Sequence, residues 1–310
     1  MLLDMKYIFK IYCFLLLALL TPQALGKRIV VIKTSDIPTI DHIVEGFFAA
    51  CSDNITIDVV NMAGSNRHNG EIIAMVKEKS SVQPVDYIFT IGTPATQFAH
   101  DSFDDIPIFF SMINNPLQQS FVGKISGIAL DVSLSEQIRL LRTILPDINR
   151  LGVVYDPKHN EKLVAQMKTA AKLAAVNLQS YQVLSPKKVP DAIRQAVNDV
   201  EALIIISDRT VINRQSLKYI VTTTLAHQLP TIAFTKELVN AGFLFGLKPD
   251  LYDIGQEAAG HICGSDILPR RSEDIYSPRS LNLYVNLKTA RRVGVVVPEQ
   301  ELKNAESILK

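Results

Sequence analysis

From Arg28 onward, short runs of apolar residues alternate with longer stretches in which apolar residues recur at helical spacing. Residues 29–33, 56–61, 86–91 and 106–110 are rich in Val, Ile and Phe and nearly continuous in hydrophobicity. Such runs predict strands buried on both faces, as in parallel sheets covered by helices. Helices are predicted between them, over 39–51, 69–79 and 94–102. The rhythm then repeats, with strands over 151–155, 178–184, 202–206 and 231–234 and helices over 161–176, 189–197 and 211–227. The helix over 134–145 carries the clearest start signal. Ser133 and Glu136 form a capping box, and Leu134, Ile138, Leu141 and Leu145 form one apolar stripe.

This alternation predicts an α/β fold with right-handed crossovers, and two rounds of it predict two Rossmann-like lobes with parallel sheets. Three apolar segments, 126–130, 243–248 and 281–285, lack a helix-length partner of their own. Each is read as a crossing between lobes. Lobe 1 is then 27–130 plus 248–280, and lobe 2 is 131–247 plus 285–310. Three crossings make a hinge, with a ligand cleft between the lobes.

Residues 1–26 follow a different pattern. Lys6 and Lys10 precede an apolar run from Ile11 to Leu20, Pro22 breaks it, and Ala24-Leu25-Gly26 gives a small-x-small cleavage pattern. This predicts a cleaved signal peptide, since a spanning helix needs roughly 20 apolar residues. Cys13 lies inside the run rather than at its end, which argues against a lipid anchor. The mature protein is expected in the periplasm. There Cys51 and Cys263 meet an oxidising environment, each within a predicted helix. Two readings stay open: the thiols pair, or they are two buried small apolar residues.

Composition narrows the function classes. Of 310 residues, 32 are Lys or Arg and 31 Asp or Glu, for a formal net charge of +1. With no basic run, nothing points to nucleic acid. Three cysteines exclude a disulfide scaffold and a zinc module built on four thiolates. No two of His42, His68, His100, His159, His227 and His261 have metal-ligand spacing on one helix. Phosphate loops of the G-x-x-x-x-G-K-[ST] and G-x-G-x-x-G types are missing, as is a G-x-S-x-G elbow. The sequence therefore offers no catalytic set, no metal site and no cofactor.

Ligands of open α/β sheets bind beyond the carboxyl ends of the strands. The tips pair by position in each round. Thr34 and Ser35 match Tyr155 and Asp156, Gly92, Thr93, Pro94, Ala95 and Thr96 match the segment at Asp208, and Ser111 and Met112 match Phe234 and Thr235. These fourteen residues are the candidate ligand contacts. Thr93 suits an N-cap and Pro94 the first helical position, so free N–H groups behind them would take a ligand carboxylate. An ordinary cap that binds nothing is the other reading. Asp208 is either an acceptor for a ligand ammonium or the N-cap of a helix beginning near Val211. Tyr155, Phe110 and Phe234 either stack on a flat apolar group or belong to the core. With no Trp in the chain, stacking falls to Phe or Tyr.

At these tips the chain resembles a known family. The matching stretches are Asp86 to Gln97 (DYIFTIGTPATQ), Asp105 to Ser111 with Asn115-Pro116, and Ile125 to Ile128. Further on come Glu136-Gln137, Leu145-Pro146-Asp147, Leu151 to Tyr155, Asp208 to Thr210, Gly242 and Tyr252 to Gly255. In order and spacing these resemble ABC transporter substrate-binding proteins of the tryptophan/tyrosine-binding type, within the periplasmic-binding-protein-like class I fold. The resemblance implies two lobes closing on a small solute, an amino acid or aromatic metabolite, which is passed to ABC permease and ATPase subunits. It implies that Gly92–Thr96 hold the ligand from lobe 1 and Asp208 from lobe 2. The chain departs at Ser120–Lys124, where the family commonly has a Pro-Gly-Gly-Asn-like turn.

The leading expectation is a monomeric solute-binding component of an importer, working by hinge closure. A sensor that docks on a membrane receptor and an exported two-lobe enzyme remain as alternatives.

Overall fold

A computed structural model of the chain describes residues 26–116, 119, 125–264 and 274–310. The expected signal peptide and the departing turn at 120–124 lie outside the described residues, Gly26 excepted. The first round is β1 (Arg28–Lys33), α1 (Pro38–Ala50), β2 (Thr56–Asn61), α2 (Asn69–Val82), β3 (Tyr87–Ile91), α3 (Thr93–Ser102), β4 (Ile108–Ile113) and β5 (Ile125–Ala129). The second is α4 (Leu134–Ile144), β6 (Arg150–Tyr155), α5 (Pro157–Leu173), β7 (Asn177–Gln182), α6 (Val189–Asp199), β8 (Ala202–Ile204), α7 (Arg214–Ala226), β9 (Thr231–Ala233), α8 (Lys236–Ala241) and β10 (Phe245–Pro249). Then follow α9 (Leu251–Ile262), β11 (Ile275–Tyr276), β12 (Leu281–Asn286), α10 (Leu287–Val293), α11 (Glu299–Lys303) and β13 (Ala305–Leu309).

Two sheets form, in the orders β11-β5-β4-β3-β1-β2 and β13-β12-β10-β9-β8-β6-β7. The winding repeats: β2-β1-β3-β4-β5 in the first sheet has the same connectivity as β7-β6-β8-β9-β10 in the second. The continuous apolar strands predict this, because each is covered on both faces. Along β1, Ile29 and Val31 pack with Ile43 and Phe47 of α1 and Ile254 of α9. The alternate Val30 and Ile32 pack with Val76 of α2 and Phe98 of α3. Along β6, Leu151 and Val153 join Leu141 of α4 and Val164 of α5, while Val154 joins Ile193 of α6 and Ile220 of α7.

The three segments read as crossings are themselves strands: β5 in the first sheet, β10 and β12 in the second. The chain changes lobe beside them, between β5 and α4, between β10 and α9, and between β11 and β12. Arriving from the opposite lobe, β12 pairs antiparallel with β10, so the second sheet is parallel except at this pair. The sequence pattern places the tail 285–310 in lobe 2 and predicts no elements for it. It forms α10, α11 and β13, and β13 adds a parallel edge strand to β12.

Helices α1 and α9 cross at close range. A Cβ at Gly255 would lie 2.1 Å from the Ile43 carbonyl oxygen and 2.6 Å from the Phe47 nitrogen. Gly255→Ala must push the helices apart and is expected to destabilise the protein by about 1–3 kcal/mol, read as a lower urea midpoint. Cys51 and Cys263 sit one residue past the C-termini of these helices, not within them, and they are joined in a disulfide with their Cα atoms 5.6 Å apart. Among the described residues no helix is long and apolar enough to cross a membrane.

Candidate functional site

Strand order reverses beside β1 and β3 in the first sheet and beside β6 and β8 in the second. Loops diverge at such switch points and leave a crevice. At the first, the Thr34 hydroxyl donates to the Ile91 carbonyl at 2.9 Å and accepts from the Ala95 amide at 3.3 Å. The Gly92 amide donates to the Ser111 carbonyl at 3.0 Å. Gly92 has φ +95°, and a Cβ there would lie 2.7 Å from Thr34 Oγ1. Glycine is therefore required both by conformation and by space. Gly92, not Thr93, is the N-cap of α3; Thr93 and Pro94 open its first turn, half-buried and exposed.

Thr34, Gly92, Ala95 and Ser111 thus come together, with half-buried Ser35 next in the chain. Thr96 turns inward instead: it is fully buried, and its hydroxyl meets Thr90 Oγ1 at 2.8 Å and donates to the Gly92 carbonyl at 3.0 Å. At the end of β4 the register shifts between Phe110 and Ile113, and Met112 (φ +60°) and Asn115 (φ +44°) are left-handed. Strain of this kind concentrates where a chain must present something other than a regular ladder. Ser111 is fully buried, and its hydroxyl has no partner among the described residues.

At the second switch point Asp208 is 4% exposed. One of its oxygens accepts from the amides of Thr210 (2.9 Å) and Val211 (3.2 Å). The other accepts from the Asp156 amide (2.7 Å) and from Asn160 Nδ2 (2.8 Å). Four bonds occupy the lone-pair sites of a carboxylate. Asp208 therefore organises its own loop. The nearby helix starts at Arg214 rather than at Val211, capped by Asn213. Asp156 caps α5 through the Lys158 amide at 3.0 Å and accepts from the Thr210 hydroxyl at 2.8 Å, so α5 begins at Pro157. Tyr155 is a core residue whose hydroxyl donates to Glu161 at 3.0 Å and accepts from Gln182 at 3.0 Å. Thr235 caps α8.

The second switch point is linked to the first lobe through the loop that follows β4. Asn115, beyond β4, donates through Nδ2 to Asn160 Oδ1 at 3.2 Å, and Asn160 Nδ2 donates to Asp208. A carboxylate only accepts, so Asp208 fixes the orientation of the Asn160 amide, and Asn160 in turn fixes that of Asn115. The atom left over is Asn115 Oδ1, buried and without a partner among the described residues. The Asn115 backbone N–H donates to Asp131, whose carboxyl is pushed above the usual carboxylate range by burial.

Beside this link lies a cavity of about 340 Å³ between the lobes. Asn115 and Leu130 border it from one side, and Ser207 and Phe234 of the second sheet's tips from the other. Asp131, the start of α4 and one face of α5 with Met167 complete it. Of the fourteen candidate contacts, Phe234 lines this cavity. The other thirteen do not border it. Asn160 and Asp131 carried no signal beyond an ordinary helical asparagine and an aspartate before a capping box, and Asn115 stood out only in its Asn-Pro pair.

Two mostly parallel α/β lobes, joined by three crossings over a cleft, define the architecture of periplasmic binding proteins. The sequence places the chain within that class: residues 28–309 match the family described as ABC transporter substrate binding protein, and the chain belongs to it. It is 24% identical over 249 residues to a tyrosine-binding protein of Clostridioides difficile (strain R20291), covering 75% of this chain and 70% of that one. Its fold resembles the ligand-free, open structure of a Clostridium difficile substrate-binding protein with adhesive properties (TM-score 0.68, 22% identity, 92% and 99% of the two chains). It also resembles an ABC domain from Streptococcus pneumonia in complex with L-Trp (TM-score 0.53, 19% identity, 92% and 100% covered).

Proposed function

We propose that this chain is the periplasmic solute-binding component of an ABC importer and that its ligand is an aromatic amino acid. The observation that carries this reading is the cavity between the two lobes, beside a hydrogen-bonded link from the loop after β4 to the second switch point. A solute that touches both lobes stabilises their closed arrangement by its differential affinity, and hinge closure follows. The closed form is then handed to ABC permease and ATPase subunits. Phe234 offers a ring for stacking, and the cavity is within the range of small-molecule sites, roughly 300–1,000 Å³. The Cys51–Cys263 disulfide suits an oxidising compartment. The tyrosine named for one relative and the L-Trp bound by another support the ligand class. Thr34, Ser35, Gly92 and Thr93 stand at the first lobe's switch point, apart from the cavity lining, and Asp208 holds the second lobe's loop in shape.

Thermal denaturation of the mature protein against the amino acids and their aromatic relatives tests this. At a ligand concentration of about 100 Kd the stabilisation expected is about 2.7 kcal/mol, with L-Tyr or L-Trp producing it. No upward shift of the melting temperature with any small solute would sink the proposal.

A further inference from the structure

Asn115 Nδ2 reaches from the first lobe to Asn160 Oδ1 in the second, at 3.2 Å. The two residues are only 8% and 3% exposed. At the strand tips, by contrast, Pro94 of the first lobe and Ser207 and Arg209 of the second are exposed. The asparagine pair therefore joins the lobes in the interior while residues of both rims face water.

Both ends of the contact are prepared for it. On the second lobe, Asp208 accepts from Asn160 Nδ2 at 2.8 Å and from three backbone amides, which leaves Asn160 Oδ1 directed to the first lobe. On the first lobe, the register of β4 shifts, and Met112 and Asn115 are left-handed, with φ +60° and +44°. Backbone of this kind persists only where surrounding contacts hold it. The Asn115 backbone N–H is held by Asp131, where the chain passes from β5 to α4 and changes lobe. The donor is thus anchored to a crossing and the acceptor to the opposite lobe, so a rotation of the lobes about the crossings makes or breaks the bond. Both partners are neutral amides. Such a bond is modest in water, since its groups rehydrate when it opens, and it biases an equilibrium without locking it.

We infer that the Asn115–Asn160 contact is a non-covalent latch that holds the solute-free lobes toward closure. Less of a solute's binding free energy is then spent in bringing them together. Asn115 and Asn160 act here as positioning residues. The consequence for solute affinity rests on the hinge closure proposed above; the latch itself stands on Asn115, Asn160 and Asp208.

Pulsed electron–electron double resonance on the solute-free mature chain tests this, with spin labels on Lys77→Cys in α2 and Gln195→Cys in α6. Both positions are exposed, and their helices follow β2 and β7, the edge strands farthest from the crossings. Asn115→Gly removes the side chain and suits the positive φ. Asn160→Ala removes the acceptor and leaves the cavity lining unchanged. Each is expected to move the distance distribution to longer values. The double variant is expected to go no further than either alone, because both remove the same contact. In calorimetric titration, Asn160→Ala is expected to bind L-tyrosine roughly twofold to tenfold more weakly, the size of one neutral hydrogen bond. A purely structural role would lower the urea midpoint and leave the distances in place. Unchanged distance distributions in both variants therefore overturn the latch, whatever their stability, and if one variant does not fold the other decides. If L-tyrosine does not bind the wild-type protein, it is the ligand reading that falls, and the solute-free distances still decide the latch.

Discussion

Reduction of the Cys51–Cys263 disulfide, or the double substitution Cys51→Ser with Cys263→Ser, is expected to cost as much stability as a large truncation in the core. The bridge spans a sequence separation of 212 residues. In the chain-entropy view, closing a loop of that length removes on the order of 5 kcal/mol of unfolded-state freedom, and measured bridges commonly give about 2–4 kcal/mol. The loop it closes contains the rest of the first lobe up to β5 and every element from α4 to β10. What the bridge ties together is the first lobe's two separate pieces, since α1 comes from the chain's start and α9 from its return. Without it α9 and β11 are held to their lobe by the α1–α9 packing, by the Lys27 bonds to the Ile262 and Gly264 carbonyls and by the pairing of β11 with β5. Urea unfolding with and without reductant measures the loss. A midpoint unmoved by reduction, with free thiols confirmed by titration, would show that the α1–α9 contact is sufficient by itself.

The strand rhythm was legible because strands buried on both faces cannot hide. Val30 and Val31 face opposite helix layers, so the run had to be apolar throughout. The repeated winding was legible for the same reason. Less legible were the tips, because a hydroxyl or carboxylate at a strand end serves a loop or a ligand equally well, and sequence alone does not say which. Thr96 and Asp208 illustrate this: both bond inward, to Thr90 and Gly92 in one case and to four donors in the other. Asn115 and Asn160 show the converse. Their meaning depends on a contact across 45 residues and between lobes, which no local pattern encodes. The disulfide was undecided for a related reason, since pairing requires α1 and α9 to be neighbours, and only the order β3-β1 and the return of the chain after β10 make them so.

The repeat also explains why both switch points carry an aspartate, a threonine or a glycine rather than larger residues. In each lobe two adjacent strands send their chains to opposite faces of the sheet. The loop is a single residue after β3 and after β6 and four residues after β1, which favours side chains that bond their own backbone.

Asp208→Ala is the second substitution with a large expected effect, and it separates loop organisation from ligand contact. The change strips acceptors from the amides of Asp156, Thr210 and Val211 and from Asn160 Nδ2, all at a site 4% exposed. Hydrogen bonds to a charged acceptor contribute about 1.5–3 kcal/mol each when removed singly. They act here as one unit, so the total expected is on the order of 3–5 kcal/mol rather than their sum. Asp208→Asn is the informative partner. Whichever way the new amide turns, its NH2 faces two donors, and the stability lost is expected to be about half as large. Its second consequence is specific: Asn160 no longer has a carboxylate to fix it, its amide is free to reverse, and the bond from Asn115 loses its acceptor. The side-chain amide resonances of Asn115 and Asn160 are therefore expected to shift together in Asp208→Asn, alongside the lower urea midpoint. A variant with wild-type stability and unmoved asparagine resonances would mean that Asp208 is not what holds the second switch point, and that its carboxylate is available to a solute after all.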